Sequence, residues 1–181
     1  MSGSLRRASY NSALLRAAME LLPEGVTLAA HDLRSVPMYD GDVEAVGLPA
    51  PVVEFREAIR AADGVLFVTP EYNYGYPAVL KNALDWASRG KDQPLLRKPV
   101  AVTGVSAGGF GTVRAQLALR QVFLGVDARL MQRPELHVGN ASKQFSPQGA
   151  LTDESTREKL RAFLAAFADQ VRAQRSLTLS Q

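Results

Sequence analysis

Residues 70–77, Pro-Glu-Tyr-Asn-Tyr-Gly-Tyr-Pro, set three tyrosines within five positions between two prolines. Proline fixes φ and stiffens the segment. The rings offer an apolar wall, and backbone N–H groups around Glu71 to Asn73 can reach the polar edge of a flat heterocycle. Ligand pockets combine such apolar surface with a few fixed polar groups. The same residues also read as a structural turn with packed tyrosines. A second segment, Gly3-Ser4-Leu5-Arg6-Arg7-Ala8-Ser9-Tyr10-Asn11, suits a phosphate monoester. Ser4, Ser9 and Asn11 can donate hydrogen bonds, Arg6 adds a charge-assisted one, and a helix N-terminus supplies N–H groups and dipole. Its plainer reading is a basic, disordered N-terminus with Ser9 as a helix cap. A third segment, Ser106-Ala107-Gly108-Gly109-Phe110-Gly111, lets a backbone approach a ligand closely. It fits neither G-x-G-x-x-G nor a phosphate loop with its lysine.

Other chemistry finds little support. There is no cysteine, which excludes disulfides, thiolate metal sites and thiol nucleophiles. His31 and His137 are isolated and read as structural. Ser106 has no Asp/His arrangement around it. No His/Glu/Asp set has metal-ligand spacing. Lys81 and Asp85 stand four apart and can pair on a helix surface. Trp86 reads as core or interface. The balance of 21 basic and 18 acidic residues, net +3, gives no basic stripe and excludes a nucleic-acid footprint. No apolar run approaches a membrane-spanning length and no signal segment follows Arg6 and Arg7, so a cytoplasmic protein with no membrane or nucleic-acid partner is expected.

All three segments need strands and helices to position them. Ser9 can cap a helix over 10–22 with Leu14, Leu15, Ala18, Leu21 and Leu22 on one face. Residues 26–30 read as a short strand, 32–50 as a loop, and 51–62 as a helix with proline in its first turn. Residues 64–69 (GVLFVT) and 99–105 (PVAVTGV) are continuous apolar runs, as in strands covered on both faces. A helix led by Pro77 follows the first, and a helix to about Leu124 follows the second. Residues 127–136 are expected to carry a last strand and 139–151 a surface loop. A final helix begins near Asp153, with Leu160, Phe163, Leu164, Phe167 and Val171 on one face and a tail after Gln174 that frays. Strands alternating with helices predict a single α/β domain over 1–181, a doubly wound, mostly parallel sheet with helices on both faces. In such sheets ligands sit outside the carboxyl ends of the strands, where all three segments fall.

Taken together, the segments resemble the NADPH-dependent FMN reductase family of flavodoxin-like quinone, azo-dye and chromate reductases. Its G-S-x-R-x-x-S-x-N pattern is matched by Gly3, Ser4, Arg6, Ser9 and Asn11. Its P-E-Y-N, followed by P-x-x-L-K-N-A-L-D-W, is matched at Pro70, Glu71, Tyr72 and Asn73 and again over 77–86. Its S-x-G-G-x-G turn is matched over 106–111. The resemblance implies noncovalent FMN, with Ser4, Arg6, Ser9 and Asn11 on the phosphate, Pro70, Glu71, Tyr72 and Asn73 along the isoalloxazine ring, and Ser106 and Gly109 closing the other side. It implies NADPH or NADH as co-substrate and a quinone-like acceptor, in a two-step exchange in which the flavin carries the chemistry and no side chain is an acid or base. It further implies a homodimer or homotetramer, with which the apolar residues Val113, Leu117, Leu119, Val122 and Phe123 are consistent; a deeply packed monomer helix has the same pattern. The alternative is an FMN-binding electron carrier or redox-sensing module without its own turnover; a flavin-free interaction protein is a third reading.

Two positions depart from the family pattern. Residue 75 is Gly where many relatives carry Ser. Only Met1 and Ser2 precede Gly3, spanning roughly 7 Å where a strand needs about 17–20 Å. In the strand order 2-1-3-4-5 the missing strand is central. The expectation is a first strand missing or truncated, a poorly anchored phosphate segment, and a natural protein several residues longer; the other possibility is that the chain fills the gap another way.

Overall fold

The computed structural model describes residues 1–179. In chain order the elements are α1 (Tyr10–Glu20), α2 (Gly41–Val46), α3 (Ala50–Ala61), β1 (Val65–Val68), α4 (Ala78–Ala87), β2 (Pro99–Val105), α5 (Val113–Gly125), β3 (Arg129–Leu130), β4 (His137–Val138), α6 (Ala141–Gln144) and α7 (Glu154–Leu179). β1 and β2 run parallel, with Val65 opposite Val100 and Val68 opposite Thr103. β3 and β4 both pair in parallel with β2, one at each end. The strands' side chains divide between two cores. Leu66, Val68, Ala101 and Val105 pack with α1 and α7. Val65, Phe67, Val100 and Val102 pack with α3, α4 and α5. This alternation, with helices on both faces, is the expected doubly wound architecture. The Phe67 and Phe123 rings meet 4.9 Å apart in the second core.

Residues 1–3 lie along the free edge of β1. The Met1 amino group donates to Leu66 O at 2.7 Å, Val68 N–H to Met1 O at 3.0 Å, and Gly3 N–H to Val68 O at 2.8 Å. The first strand is thus reduced to a parallel bridge at Ser2 and Val68, and it continues directly into the phosphate segment. That segment is tied to the sheet, contrary to the expectation of poor anchorage.

Several boundaries differ from the sequence reading. Residues 26–30 form no strand; in the expected strand order their partner would be the first strand, here three residues long. Loop 32–50 contains α2, capped by the Asp40 side chain, which accepts from Asp42 N–H at 2.9 Å. The last strand splits into β3 and β4 around Pro134, which has no N–H to give a ladder. Loop 139–151 contains α6 and buries Ala141, Phe145 and Leu151. The final helix extends through Leu179, and residues 180–181 of the tail expected to fray lie outside the described residues.

Candidate functional site

Three segments meet at the carboxyl ends of the strands. Residues 4–9 run from the Val68 end of β1 into α1. Residues 69–77 connect β1 to α4. Residues 106–112 connect β2 to α5.

In the first segment Ser9 caps α1, its hydroxyl oxygen accepting from Asn11 N–H at 3.1 Å and Ser12 N–H at 3.4 Å. Ser4 and Ser9 are buried, whereas Arg6 is exposed and has no hydrogen bond or ion pair among the described residues. Asn11 is 4 % exposed. Its amide nitrogen donates to Val105 O at 2.9 Å, and its amide oxygen accepts from Val105 N–H at 3.0 Å. Both polar atoms of Asn11 are thereby engaged with the end of β2. Its side chain anchors the segment to the end of β2. Residues outside the motif complete the arrangement. Ser12 Oγ donates to Ser2 Oγ at 3.2 Å, and Ser4 N–H donates to the same oxygen at 3.2 Å. Arg34 donates to Leu5 O at 2.7 Å while paired with Asp32 at 2.6 Å. Ser12 was legible as the residue one turn beyond Ser9. Arg34 had no local signal, because it reaches the segment from the chain after residues 26–30.

In the second segment Tyr72 and Gly75 exchange two backbone hydrogen bonds, at 2.9 and 3.0 Å. The central residues Asn73 and Tyr74 have φ of 49° and 68°. This is the left-handed pair a tight hairpin turn requires, which asparagine tolerates better than tyrosine. Tyr72 N–H is therefore committed to the turn. Pro70 is buried, and Asn73 is exposed. Tyr72 OH lies 3.4 Å from Ser4 Oγ and links the ring-side segment to the phosphate side. Gly75 has room for a side chain, since an added Cβ would meet nothing nearer than 3.9 Å.

Glu71 turns away from this surface. Its carboxylate accepts from Arg114 N–H at 3.0 Å and Ala115 N–H at 3.2 Å, and pairs with the Arg114 guanidinium. Burial raises its pKa, but hydrogen bonds from Arg114 and the two backbone groups outweigh this and hold the carboxyl below its usual range. The first turn of α5 is thus filled by an anion, whereas α1 begins with no acidic residue in its first turn. A phosphate would meet this carboxylate at α5, whereas the start of α1, close after Arg6 in the chain, carries no acidic residue.

In the third segment Ser106 N–H donates to Val138 O at 3.0 Å, and Ser106 Oγ donates to Gly108 O at 3.0 Å. Its glycines serve two purposes. Gly111 has φ of 58° and an added Cβ there would lie 2.7 Å from the His137 backbone, so protein packing demands glycine. Gly108 and Gly109 have ordinary φ, and an added Cβ would meet nothing within 4 Å. Their open side is a cradle that side chains would fill, which is what a flat ring laid against the backbone needs. Gly104, beneath them, keeps β2 against β1; its Cβ would lie 2.0 Å from Thr69 O.

The residues present therefore fit FMN. One end offers hydroxyls, a free guanidinium and a helix dipole for a phosphate. The other offers Tyr72, the 70–73 backbone and an open glycine face for a planar ring. His137 takes no part among the described contacts. Burial lowers its pKa, and it lies 3.9 Å from Glu135, which pairs with Arg120 at 3.0 Å.

A family model for NADPH-dependent FMN reductases matches residues 1–143. An NAD(P)H-dependent FMN reductase of Pseudomonas aeruginosa is 48% identical over 172 residues, covering 95% of this chain and 93% of that one. A quinone reductase of Escherichia coli is 42% identical over 170 residues, covering 92% and 90%. Among solved structures, FerB of Paracoccus denitrificans, a flavoenzyme NAD(P)H:(acceptor) oxidoreductase, superposes with a TM-score of 0.88 at 34% identity, over 96% of this chain and 95% of that one. Motifs, fold and relatives agree, and the chain belongs to the NADPH-dependent FMN reductase family.

Proposed function

We propose that this protein is an NAD(P)H-dependent flavin oxidoreductase that holds FMN across the three segments and passes two electrons from NAD(P)H to a quinone. The observation that carries the assignment of the site is the contrast between the starts of α5 and α1. The α5 start is neutralised by the Glu71 carboxylate, whereas the α1 start is capped by the uncharged Ser9 hydroxyl, has no acidic residue in its first turn and follows Arg6, which is unpaired among the described residues.

In this reading Ser4, Arg6 and Ser9 hold the phosphate, and Asn11 fixes their segment to β2. Pro70, Tyr72 and Asn73 flank the ring, and Ser106 and Gly109 lie on its other side. When bound, FMN supplies the two-electron chemistry, accepting from the nicotinamide and giving to the acceptor in separate steps. The protein binds and orients it and shields one side from water, and no side chain needs to act as acid or base. The names of the Escherichia coli and Paracoccus denitrificans relatives support a quinone-like acceptor and either nicotinamide as donor.

Assembly as a homodimer or homotetramer is part of the same reading. It is supported by the exposed Leu117 and Leu124 on α5, by Phe110 just before that helix, and by Tyr74, which shares the Arg114 guanidinium with Phe110. No helix among the described residues is long and apolar enough to cross a membrane, and a cytoplasmic location fits the reading.

Titration with FMN and riboflavin, followed by assays of NADPH and NADH against a quinone panel, tests the proposal. Tight FMN binding with weaker riboflavin binding, and nicotinamide oxidation accelerated by a quinone, is expected. FMN-loaded protein without turnover would make the chain an electron carrier, and failure to bind FMN would remove the flavin reading altogether.

A further inference from the structure

We infer that Glu71 is a positioning residue, whose carboxylate joins the ring-side segment 70–77 to the first turn of α5 and so sets the spacing of the two segments that flank the flavin ring. The inference rests on the flavin reading above for its functional meaning, but the coupling itself is a property of the chain.

The α5 start has an unusual cap. Thr112 stands at the N-cap position with φ of 65°, and its side chain caps nothing. Thr112 Oγ1 instead accepts from Gln116 Nε2 at 3.1 Å. The first-turn N–H groups of Arg114 and Ala115 are satisfied from a residue 43 and 44 positions earlier in the chain. Helix starts leave such donors unpaired, and a carboxylate there is favoured by both hydrogen bonding and the dipole. The Glu71 side chain is only 7% exposed, while its neighbour Tyr72 is exposed. The glutamate therefore points into the body of the protein while Tyr72, Asn73 and Tyr74 after it are exposed.

The other side of the same contact is closed by Arg114. Its guanidinium lies 3.9 Å from the Tyr74 ring centre and 4.9 Å from that of Phe110, one ring from each segment. Among the described residues, no backbone hydrogen bond joins 70–77 directly to 106–112. Beyond the β1–β2 ladder, whose last bond runs from Thr69 N–H to Thr103 O at 2.9 Å, the two segments are linked by Glu71 and, outside it, by Arg114. Of the two, the backbone cap is the stiffer link, because it is made to a helix already fixed in the core by Leu119 and Phe123.

The test uses the full chain and two substitutions that separate these links. Glu71→Gln replaces one acceptor oxygen with an NH2 that faces N–H donors. Arg114→Lys keeps the backbone cap and loses the planar group between the rings. For Glu71→Gln, FMN and riboflavin should both bind about tenfold more weakly, with their ratio unchanged because the phosphate segment keeps its own ties to β1 and β2 and meets segment 70–77 through the long 3.4 Å Tyr72–Ser4 contact. The visible circular dichroism of the bound flavin should change, and amide exchange in the first turn of α5 should accelerate. Arg114→Lys should hold FMN affinity within about threefold and keep the flavin dichroism of the parent. If Glu71→Gln does not fold, Glu71→Asp keeps the charge on a shorter arm and should show the same changes at smaller size. Parent-like FMN affinity and dichroism in the glutamine variant, or a selective loss of FMN relative to riboflavin, would overturn the inference. Protein that binds no flavin would refute the functional reading instead. The exchange of the Arg114 and Ala115 amides would then still decide the coupling, since parent-like protection in Glu71→Gln contradicts it.

Discussion

Replacing Asn11 with alanine separates an anchor from a ligand-binding group. The side chain makes two hydrogen bonds to Val105, at 2.9 and 3.0 Å, and Val105 is 2% exposed. Alanine leaves a buried N–H and a buried C=O without these partners. Each such group costs about 1–3 kcal/mol, and entry of a water into the vacated space brings the pair toward about 2–4 kcal/mol. For a chain of this size, that corresponds to a fall in Tm of about 5–15 °C for the flavin-free protein. The vacated link is also the one that holds the start of α1 to the end of β2. FMN affinity should therefore fall more than riboflavin affinity, because the phosphate loses its fixed donors. Thermal unfolding of the apoprotein and parallel titrations with the two flavins read both effects. An apoprotein as stable as the parent, with FMN binding alone weakened, would refute the anchoring argument and make Asn11 a direct phosphate donor.

The same geometry yields other expectations. Gly104→Ala puts a Cβ 2.0 Å from Thr69 O and should prevent accumulation of folded protein, whereas Gly109→Ala meets nothing within 4 Å and should leave apoprotein Tm unchanged while weakening FMN binding about tenfold or more. Expression yield, melting and FMN titration distinguish the two glycines. Arg34→Ala removes an exposed donor to Leu5 O, so apoprotein stability should change by less than about 0.5 kcal/mol while FMN binding weakens a few-fold. Equal FMN affinity in that variant would show that the phosphate segment needs no support from residue 34. Because the Glu71 carboxyl is held below its usual range, its stabilisation is present above the unfolded value and lost as pH falls through the folded one. The Tm difference between the parent and Glu71→Gln should therefore be full at neutral pH and shrink on acidification; a difference that does not change with pH would contradict this.

What was legible in the sequence follows from how local each signal is. The run 99–105 became β2 with those boundaries, because seven consecutive buried positions leave little choice of period. Ser9 was readable as a cap because the N–H groups that donate to it lie two and three residues on. Helix α2 was not readable, because it buries none of its residues and so has no apolar stripe. Residues 26–30 have strand-like composition, but a strand is made by its neighbours, and the expected neighbour is three residues long. The motif residues of the site were all visible, while their division of labour was not. Asn11 and Glu71 look like ligand-facing polar groups in the motif. Their partners lie 94 and 43 positions away, and only the folded chain shows that one anchors a segment and the other caps a helix. Arg34 and Arg114 were missed for the same reason.

The most direct test of the account is one anaerobic mixing experiment. FMN-loaded protein is mixed with NADPH, then with a quinone, while flavin absorbance near 450 nm is followed. The account predicts that the yellow colour bleaches on adding NADPH and returns on adding the quinone. Flavin that stays oxidised in the presence of either nicotinamide would contradict it.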